Sequence, residues 1–150
     1  MFRGKFEHTI DDKGRISVPS RFREILQATN DDRVVITNFI MSSTRCLDVY
    51  PQAAWVRLEE KLREKPQFDQ GVMRFQNFYV ANAHECVLDK QGRILLPPTL
   101  REYAGLKKDA VFTSALEKFR IWDKEQWDRV FGEAEQSFIE RPDELSRLGI

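Results

Sequence analysis

Two arginines in this sequence stand at the same position of a repeated phrase. Arg15 lies within TIDDKGRISVP at residues 9–19, and Arg93 lies within VLDKQGRILLP, 78 residues later. Both phrases read apolar–Asp–x–x–Gly–Arg–x–x–x–Pro. A guanidinium is a planar fork of donors that binds phosphate oxygens, or the O6 and N7 edge of guanine, in a bidentate manner. The repeat therefore predicts two anion- or base-binding groups carried on similar loops.

The other repeated residues of the phrase have structural explanations. An Asp at the start of a tight turn accepts a backbone N–H, a Gly at its end tolerates positive φ, and a Pro ends the next strand because it lacks an N–H. These residues are Asp11, Gly14 and Pro19 in the first copy and Asp89, Gly92 and Pro97 in the second. A turn does not require the arginine. Two structural interpretations stay open beside the binding one: an ion pair with the preceding Asp that braces the loop, or a solvated surface charge.

Further basic residues near the two phrases are candidate phosphate contacts, which position a protein on nucleic acid without reading its sequence. They complete a candidate nucleic-acid-binding set of Arg15, Arg93, Lys13, Gly14, Lys90, Gly92, Arg3 and Lys5.

Catalysis and metal binding have little support in the sequence. Asp11 and Asp89 could form a symmetric carboxylate pair, but each has a structural role at a turn, and no His, Ser or Cys recurs beside them as a base or nucleophile. No glycine-rich phosphate loop is present. Cys46 and Cys86 are far apart, and with only two histidines the chain lacks the ligand spacing of a zinc site. We expect neither an enzyme nor a cofactor.

Composition restricts the class of protein further. With 150 residues, 41% of them hydrophobic, the chain can form one domain or two half-domains around a shared core. No apolar stretch approaches the roughly 20 residues that span a bilayer, and residues 1–8 lack the apolar middle of a signal peptide, so we expect a soluble cytosolic protein. The 24 basic and 24 acidic residues cancel, which argues against general polyanion binding. Any nucleic-acid site must be a local patch.

The repetition extends beyond the motif. Aligned on the two phrases, EHTIDDKGRISVPSRFREI faces ECVLDKQGRILLPPTLREY. Each half is predicted as strand, turn, strand, short helix, strand, strand and longer helix, and two such halves suggest a closed body with internal pseudo-two-fold symmetry. The predicted division is a first repeat at 1–60, a connecting helical segment at 61–82, a second repeat at 83–139, and a tail at 140–150 that we expect to be mobile.

Local signals predict where two of the helices begin. Thr99 and Glu102 form a capping box, and Asp123 with Gln126 forms an Asp-x-x-Gln cap. The connecting segment is rich in aromatic residues (Phe68, Phe75, Phe78 and Tyr79). These side chains either pack on their own chain or form a contact between subunits, and the sequence leaves both interpretations open.

The doubled motif, the opening MFRGKFEHTID and the length of the chain resemble the bacterial MraZ family, within the AbrB/SpoVT-like swapped-hairpin DNA-binding proteins. The resemblance covers nearly the whole chain, to about residue 138. It implies an α+β fold: a pseudo-two-fold β-barrel of interleaved swapped hairpins, made within one chain from two AbrB-like halves, with flanking helices.

The resemblance also implies a function. Members of the family act as transcriptional regulators, mainly repressors, at the promoter of the division and cell-wall gene cluster and of their own gene. They form ring-shaped homo-oligomers and bind direct repeats in double-stranded DNA, which implies a cytoplasmic, nucleoid-associated protein without a membrane or small-molecule partner. The DNA-contacting loops of the family fall on residues 11–15 and 89–93, with Arg15 and Arg93 as the base-reading residues. The alternative is an AbrB-like assembly module whose loops bind protein instead of DNA.

Overall fold

The structure, a computed structural model, describes all residues from 1 to 150 and combines helices with antiparallel strands. The strands are β1 (Lys5–Thr9), β2 (Arg15–Ser17), β3 (Arg33–Met41), β4 (Thr44–Pro51), β5 (His84–Val87), β6 (Arg93–Leu95), β7 (Asp109–Ala115) and β8 (Lys118–Asp123). The helices are α1 (Ser20–Gln27), α2 (Gln52–Arg63), α3 (Gln70–Phe75, continued by a π-helical turn at Gln76–Val80), α4 (Pro98–Tyr103), α5 (Lys124–Glu140) and α6 (Glu144–Arg147). Each half has the order of elements that the repeat predicts.

The two halves interlock through their strands. The larger sheet has the order β1-β7-β8-β4-β3-β5, and the two remaining strands form an antiparallel ribbon, β2–β6. In this sheet β1 corresponds to β5, β3 to β7 and β4 to β8. Exchanging each strand for its counterpart gives the same strand order in reverse. The chain therefore has a pseudo-two-fold axis that passes between β4 and β8 and through the ribbon, where Ile16 lies opposite Ile94.

The strands on either side of each turn do not pair with one another. β1 pairs with β7 and β5 pairs with β3, while β2 and β6 pair together. An isolated two-stranded hairpin of this length would be marginal in water, whereas pairing across the halves extends one sheet and covers its apolar face. The two repeats are therefore parts of one body.

One hydrophobic core is shared by both halves. It contains 19 buried residues from the two repeats, with Phe2, Phe22 and Phe119 in edge-to-face or tilted contact. Ile16 and Ile94 seal this core beneath the ribbon, with 1% and 0% of their surfaces exposed. Because successive side chains of a strand alternate between its faces, the residues next to these isoleucines lie on the outward face of the ribbon.

A buried ion pair lies at the pseudo-two-fold axis. Asp48 of β4 is opposite Arg120 of β8, and Nε of Arg120 donates to Oδ1 of Asp48 at 2.8 Å. The hydroxyl of Tyr79 donates to the other carboxylate oxygen and lies 2.6 Å from the hydroxyl of Tyr50. Burial raises the pKa of Tyr79, which keeps this hydroxyl a proton donor. Positions 48 and 120 correspond in the two halves, so the axis pairs opposite charges where identical halves would pair like charges.

Of the two helix caps predicted from the sequence, the structure confirms one and contradicts the other. The Asp123 cap is confirmed, since its carboxylate accepts the N–H of Gln126 at 3.3 Å. The Thr99–Glu102 capping box is wrong, because α4 begins at Pro98, two residues before the start that a cap at Thr99 would give, and it makes no side-chain cap bond. Pro98 occupies the first helical position, where a missing N–H costs nothing and its fixed φ suits the helix.

The segment between the halves packs partly on its own chain. Tyr79 is buried against Tyr50 and Trp55, whereas Phe68 is almost fully exposed. Packing within the chain therefore explains Tyr79, and a subunit contact stays open for Phe68. Residues 140–150 include α6 and are almost entirely exposed. None of the helices combines the length and apolar character needed to cross a bilayer.

Candidate nucleic-acid interface

Each repeated phrase folds into a tight loop organised by its aspartate. In the first loop (residues 11–15), Oδ1 of Asp11 accepts the backbone N–H groups of Lys13 and Arg15, both at 2.9 Å. The N–H of Gly14 donates to the carbonyl of Asp11 at 3.0 Å, with φ of +83° at the glycine. The second loop (residues 89–93) repeats these bonds through Asp89 and the N–H groups of Gln91, Gly92 and Arg93. The turn chemistry predicted for Asp and Gly is confirmed.

The arginine of each loop forms an ion pair with its aspartate through one nitrogen. Nε of Arg15 lies 2.8 Å from Oδ2 of Asp11, and Nε of Arg93 lies 2.8 Å from Oδ2 of Asp89. The bracing interpretation of the arginine is therefore present in both loops. The two Nη atoms of each guanidinium have no protein partner, and 31% and 27% of the side-chain surfaces are exposed. The brace orients the fork and leaves its outer donors free.

The same contacts keep both aspartates ionised. The backbone N–H of Arg15, supported by its side chain and by the N–H of Lys13, holds the pKa of Asp11 below its ordinary value. The corresponding groups of Arg93 and Gln91 lower the pKa of Asp89. Each aspartate–arginine pair is therefore close to neutral at physiological pH. The loops therefore offer oriented donors more than surplus charge.

The ribbon brings the two arginines together. Arg15 lies opposite Leu95 and Arg93 lies opposite Ser17, on either side of the Ile16–Ile94 pair. Since the isoleucines face the core, both arginine side chains leave the ribbon on its outward face, and the two residues are offset by two positions along adjacent strands. Strand geometry places their Cα atoms about 8 Å from one another. The structure thus forms one face with two similar loops.

Two further arginines, which were not among the candidates predicted from the sequence, contact the loop glycines from the opposite half. Nη1 of Arg101 lies 3.2 Å from where a Cβ on Gly14 would be, and Cδ of Arg23 lies 2.3 Å from the corresponding point on Gly92. Arg101 also donates to the carbonyls of Leu106 and Lys107, at 3.3 and 2.8 Å. The signal was available in the sequence, because Arg23 and Arg101 share the 78-residue offset of the motif.

A cavity of about 630 Å³ lies beside the second loop. It is lined by Arg23, Leu26, Gln27, Asn30, Asp31, Asp32, Leu88, Asp89, Lys90 and Gly92. Arg23 reaches it with a buried Nε that has no acceptor and with an Nη1 that donates weakly to the carbonyl of Gln91, at 3.4 Å.

The remaining candidate residues fall into two groups. Lys13 and Lys90 are exposed within the loops. Arg3 and Lys5 are exposed as well, but they lie at the other end of β1, where Lys5 is opposite Thr113. Lys5 is four residues from the loop-proximal end of the strand at Thr9, a distance of about 13 Å. The structure therefore does not bring Arg3 and Lys5 to the loops.

The residues that could bind a metal are dispersed. No three His, Cys, Asp or Glu side chains cluster in a way that could hold a metal ion. Both cysteines are free thiols, and burial raises the pKa of each. They are therefore poor nucleophiles.

The chain is similar to proteins of one family along nearly its whole length. A family model described as "MraZ protein, putative antitoxin-like" matches residues 1–78 and again residues 79–147. A protein of Desulforamulus reducens named "Transcriptional regulator MraZ" is 46% identical over 138 residues, which cover 92% of each chain. Proteins of the same name are 47% identical over 127 residues in Thioalkalivibrio sulfidiphilus (85% of this chain, 83% of that one) and 44% identical over 150 residues in Desulfitobacterium hafniense (100% of each).

Proposed function

The chain belongs to the MraZ family of transcriptional regulators, and from that premise we propose that it binds promoter DNA directly through its two Asp-x-x-Gly-Arg loops. The family consists of regulators of transcription, not enzymes. As the resemblance implies, the regulated genes are the division and cell-wall gene cluster and its own gene, and the main effect is repression. The protein then acts in the cytoplasm, on the nucleoid.

The observation that carries this proposal is the pair of guanidinium forks with free Nη atoms on one face of the ribbon. Each fork is braced at Nε by an aspartate and keeps both Nη atoms unpaired. The major groove is about 12 Å wide and admits a two-stranded β-ribbon, and a bidentate arginine reads O6 and N7 of guanine there. A separation of about 8 Å between the two Cα atoms suits bases within one stretch of groove. The exposed Lys13 and Lys90 would contact flanking phosphates.

The cross-half pairing of strands supports the finer description of the fold. Each half contributes a turn whose two flanking strands pair in different places, as expected for interleaved swapped hairpins that close into a pseudo-two-fold barrel. The division into repeats at 1–60 and 83–139 is part of the same proposal.

We place this protomer in a ring-shaped homo-oligomer. The exposed face of α5 carries Phe131, Phe138 and Ile139, an apolar surface that suits contact between copies. Head-to-tail contacts repeat in one direction, so DNA following a ring would meet the loops in tandem, which matches direct repeats better than a palindrome. A protomer of zero net charge binds DNA weakly, but several held together gain avidity.

The alternative, a module whose loops bind protein, is separated by a gel-shift assay with DNA upstream of the protein's own gene. Arg15→Ala removes one fork and should cost about 1–3 kcal/mol of discrimination per bound protomer, which abolishes specific binding by the oligomer. Arg15→Lys retains the charge without the fork and should recover only non-specific binding. Arg3→Ala is the matched control, since it removes an exposed positive charge at the far end of β1.

Two results would contradict the proposal. One is an Arg15→Ala variant, folded by circular dichroism, that shifts the promoter fragment as well as the unaltered protein does. The other is an equal loss of binding in Arg3→Ala, which would indicate a general charge effect.

A further inference from the structure

We propose that the first loop forms part of a composite site for DNA phosphate, which is completed by Arg101, Lys107 and Lys108 from the opposite half of the chain. The second loop lacks an equivalent phosphate site. The inference rests on the proposed function of the loops and adds three residues to it. Nη1 of Arg101, held in a fixed position, donates a hydrogen bond to phosphate, and the two lysines supply positive charge beside it.

Arg101 is held in place by the segment that follows α4. Its Nε and Nη2 donate to the carbonyls of Leu106 and Lys107, while Nη1 has no protein partner. That free nitrogen lies beside Gly14, at the tip of the first loop. An anion that approaches the first loop therefore meets donors from both halves.

Lys107 and Lys108 lie beside the residue that precedes the first loop, Ile10. The carbonyl of Lys107 accepts from Arg101, and the carbonyl of Lys108 accepts the N–H of Ile10 at 2.8 Å, next to Asp11. Both side chains are exposed and form no ion pair within the chain. Lysines of this kind are point charges available to phosphate.

The second loop has the same backbone arrangement with different side chains. The N–H of Leu88 donates to the carbonyl of Asp32 at 3.0 Å, as that of Ile10 does to Lys108. Acidic residues, Asp31 and Asp32, thus stand where the first site has two lysines, and they line the cavity that Arg23 borders. Asp31 is paired with Arg33, whereas Asp32 forms no ion pair, and its carboxylate would repel a phosphate at this position.

The asymmetry comes from placement more than from total charge. At six corresponding positions the first site has Asp12, Lys13, Arg101, Lys107, Lys108 and Asp109, and the second has Lys90, Gln91, Arg23, Asp31, Asp32 and Arg33. The first has four basic and two acidic residues, the second three basic and two acidic. However, Arg33 is engaged by a bidentate pair with Asp31, at 2.9 Å for both bonds. The first loop alone is bordered by two adjacent unpaired lysines.

The test is the salt dependence of binding to the promoter fragment. Each phosphate contact contributes about 0.9 to the slope of log K against log salt concentration. The double variant K107Q/K108Q should lower that slope by about two per bound protomer, and Arg101→Gln by about one. D32N, which leaves the Asp31–Arg33 pair intact, should leave the slope unchanged. K61Q/K65Q, on and just after α2, removes the same charge from two other exposed lysines and is the matched control.

The outcomes separate this inference from the proposed function. If K107Q/K108Q binds with an unchanged slope, or loses no more than K61Q/K65Q does, the composite site is wrong even though Arg15→Ala still abolishes specific binding. If Arg15→Ala binds normally, the proposed function fails first. Arg101→Gln also removes two hydrogen bonds to the segment that follows α4, so its melting temperature is measured alongside. The side chains of Lys107 and Lys108 form no hydrogen bond or ion pair within the chain.

Discussion

At the scale of single residues, the arginine of each loop makes the structural contact and is also compatible with the proposed binding role. Its Nε braces the turn against the aspartate, and its Nη atoms remain available. The two interpretations were alternatives in the sequence because the sequence does not show which nitrogens of a guanidinium are engaged within the chain. The brace itself favours binding, since a fork held in one orientation loses less conformational entropy when it meets its ligand.

The loop glycines give a graded prediction for stability. Gly14, Gly92 and Gly105 all have positive φ, so alanine at any of them should cost about 1–2 kcal/mol in the free energy of unfolding. A methyl at position 105 meets nothing, one at 14 comes within 3.2 Å of Arg101, and one at 92 would overlap Arg23 at 2.3 Å. Urea unfolding should therefore rank Gly92→Ala as the most destabilising variant and Gly105→Ala, the control, as the least. Equal losses at all three would show that the arginines do not pack against the loops as described.

At the scale of elements, the ribbon and the central strand pair have different structural roles. The ribbon presents the loops on one side and seals the core with its isoleucines on the other. The central pair, β4 and β8, joins the halves through an ion pair between corresponding positions, 48 and 120. Opposite charges there favour pairing of a first half with a second half, because two first halves would place aspartates against each other.

The ion pair predicts a large effect from one substitution. Arg120→Met leaves Asp48, which has no exposed surface, without its cationic partner, and should cost about 3–5 kcal/mol in the free energy of unfolding. Arg57→Ala is the control, since its pair with Glu117 spans 3.8 Å between side chains that are more than half exposed. That change should cost less than about 1 kcal/mol. Similar losses in the two variants, measured by urea unfolding, would overturn the assignment of a structural role to the central pair.

At the scale of the whole molecule, the proposed DNA binding by a protomer of zero net charge requires assembly in order to be tight. The 24 basic and 24 acidic residues supply no general attraction to phosphate. Each protomer presents one ribbon face, so the number and spacing of faces depend on how copies associate. Tandem repeats in the DNA would then be matched by tandem protomers.

Assembly predicts both a mass and a dependence on spacing. Light scattering coupled to size exclusion should give a multiple of 17.7 kDa, and a monomer at that mass would contradict the ring. A fragment with two direct repeats should bind about a hundredfold or more tightly than a fragment with one. The control carries the same repeats with half a helical turn inserted, which turns the second site away. An affinity unchanged by the insertion would remove the role of spacing.

The repeat, the turn chemistry and the candidate arginines were all predictable from the amino-acid sequence, because each depends on residues within about ten positions of one another or on simple repetition. The Asp123 cap was predictable for the same reason, and the capping box failed only because Pro98 competes for the helix start. Which strands pair, and hence the outward face shared by Arg15 and Arg93, was decided by the tertiary structure. The approach of Arg101 to Gly14 was decided there too, since it joins residues nearly ninety positions apart. Burial of one core common to both halves favours pairing across the repeats, and no local pattern carries that information.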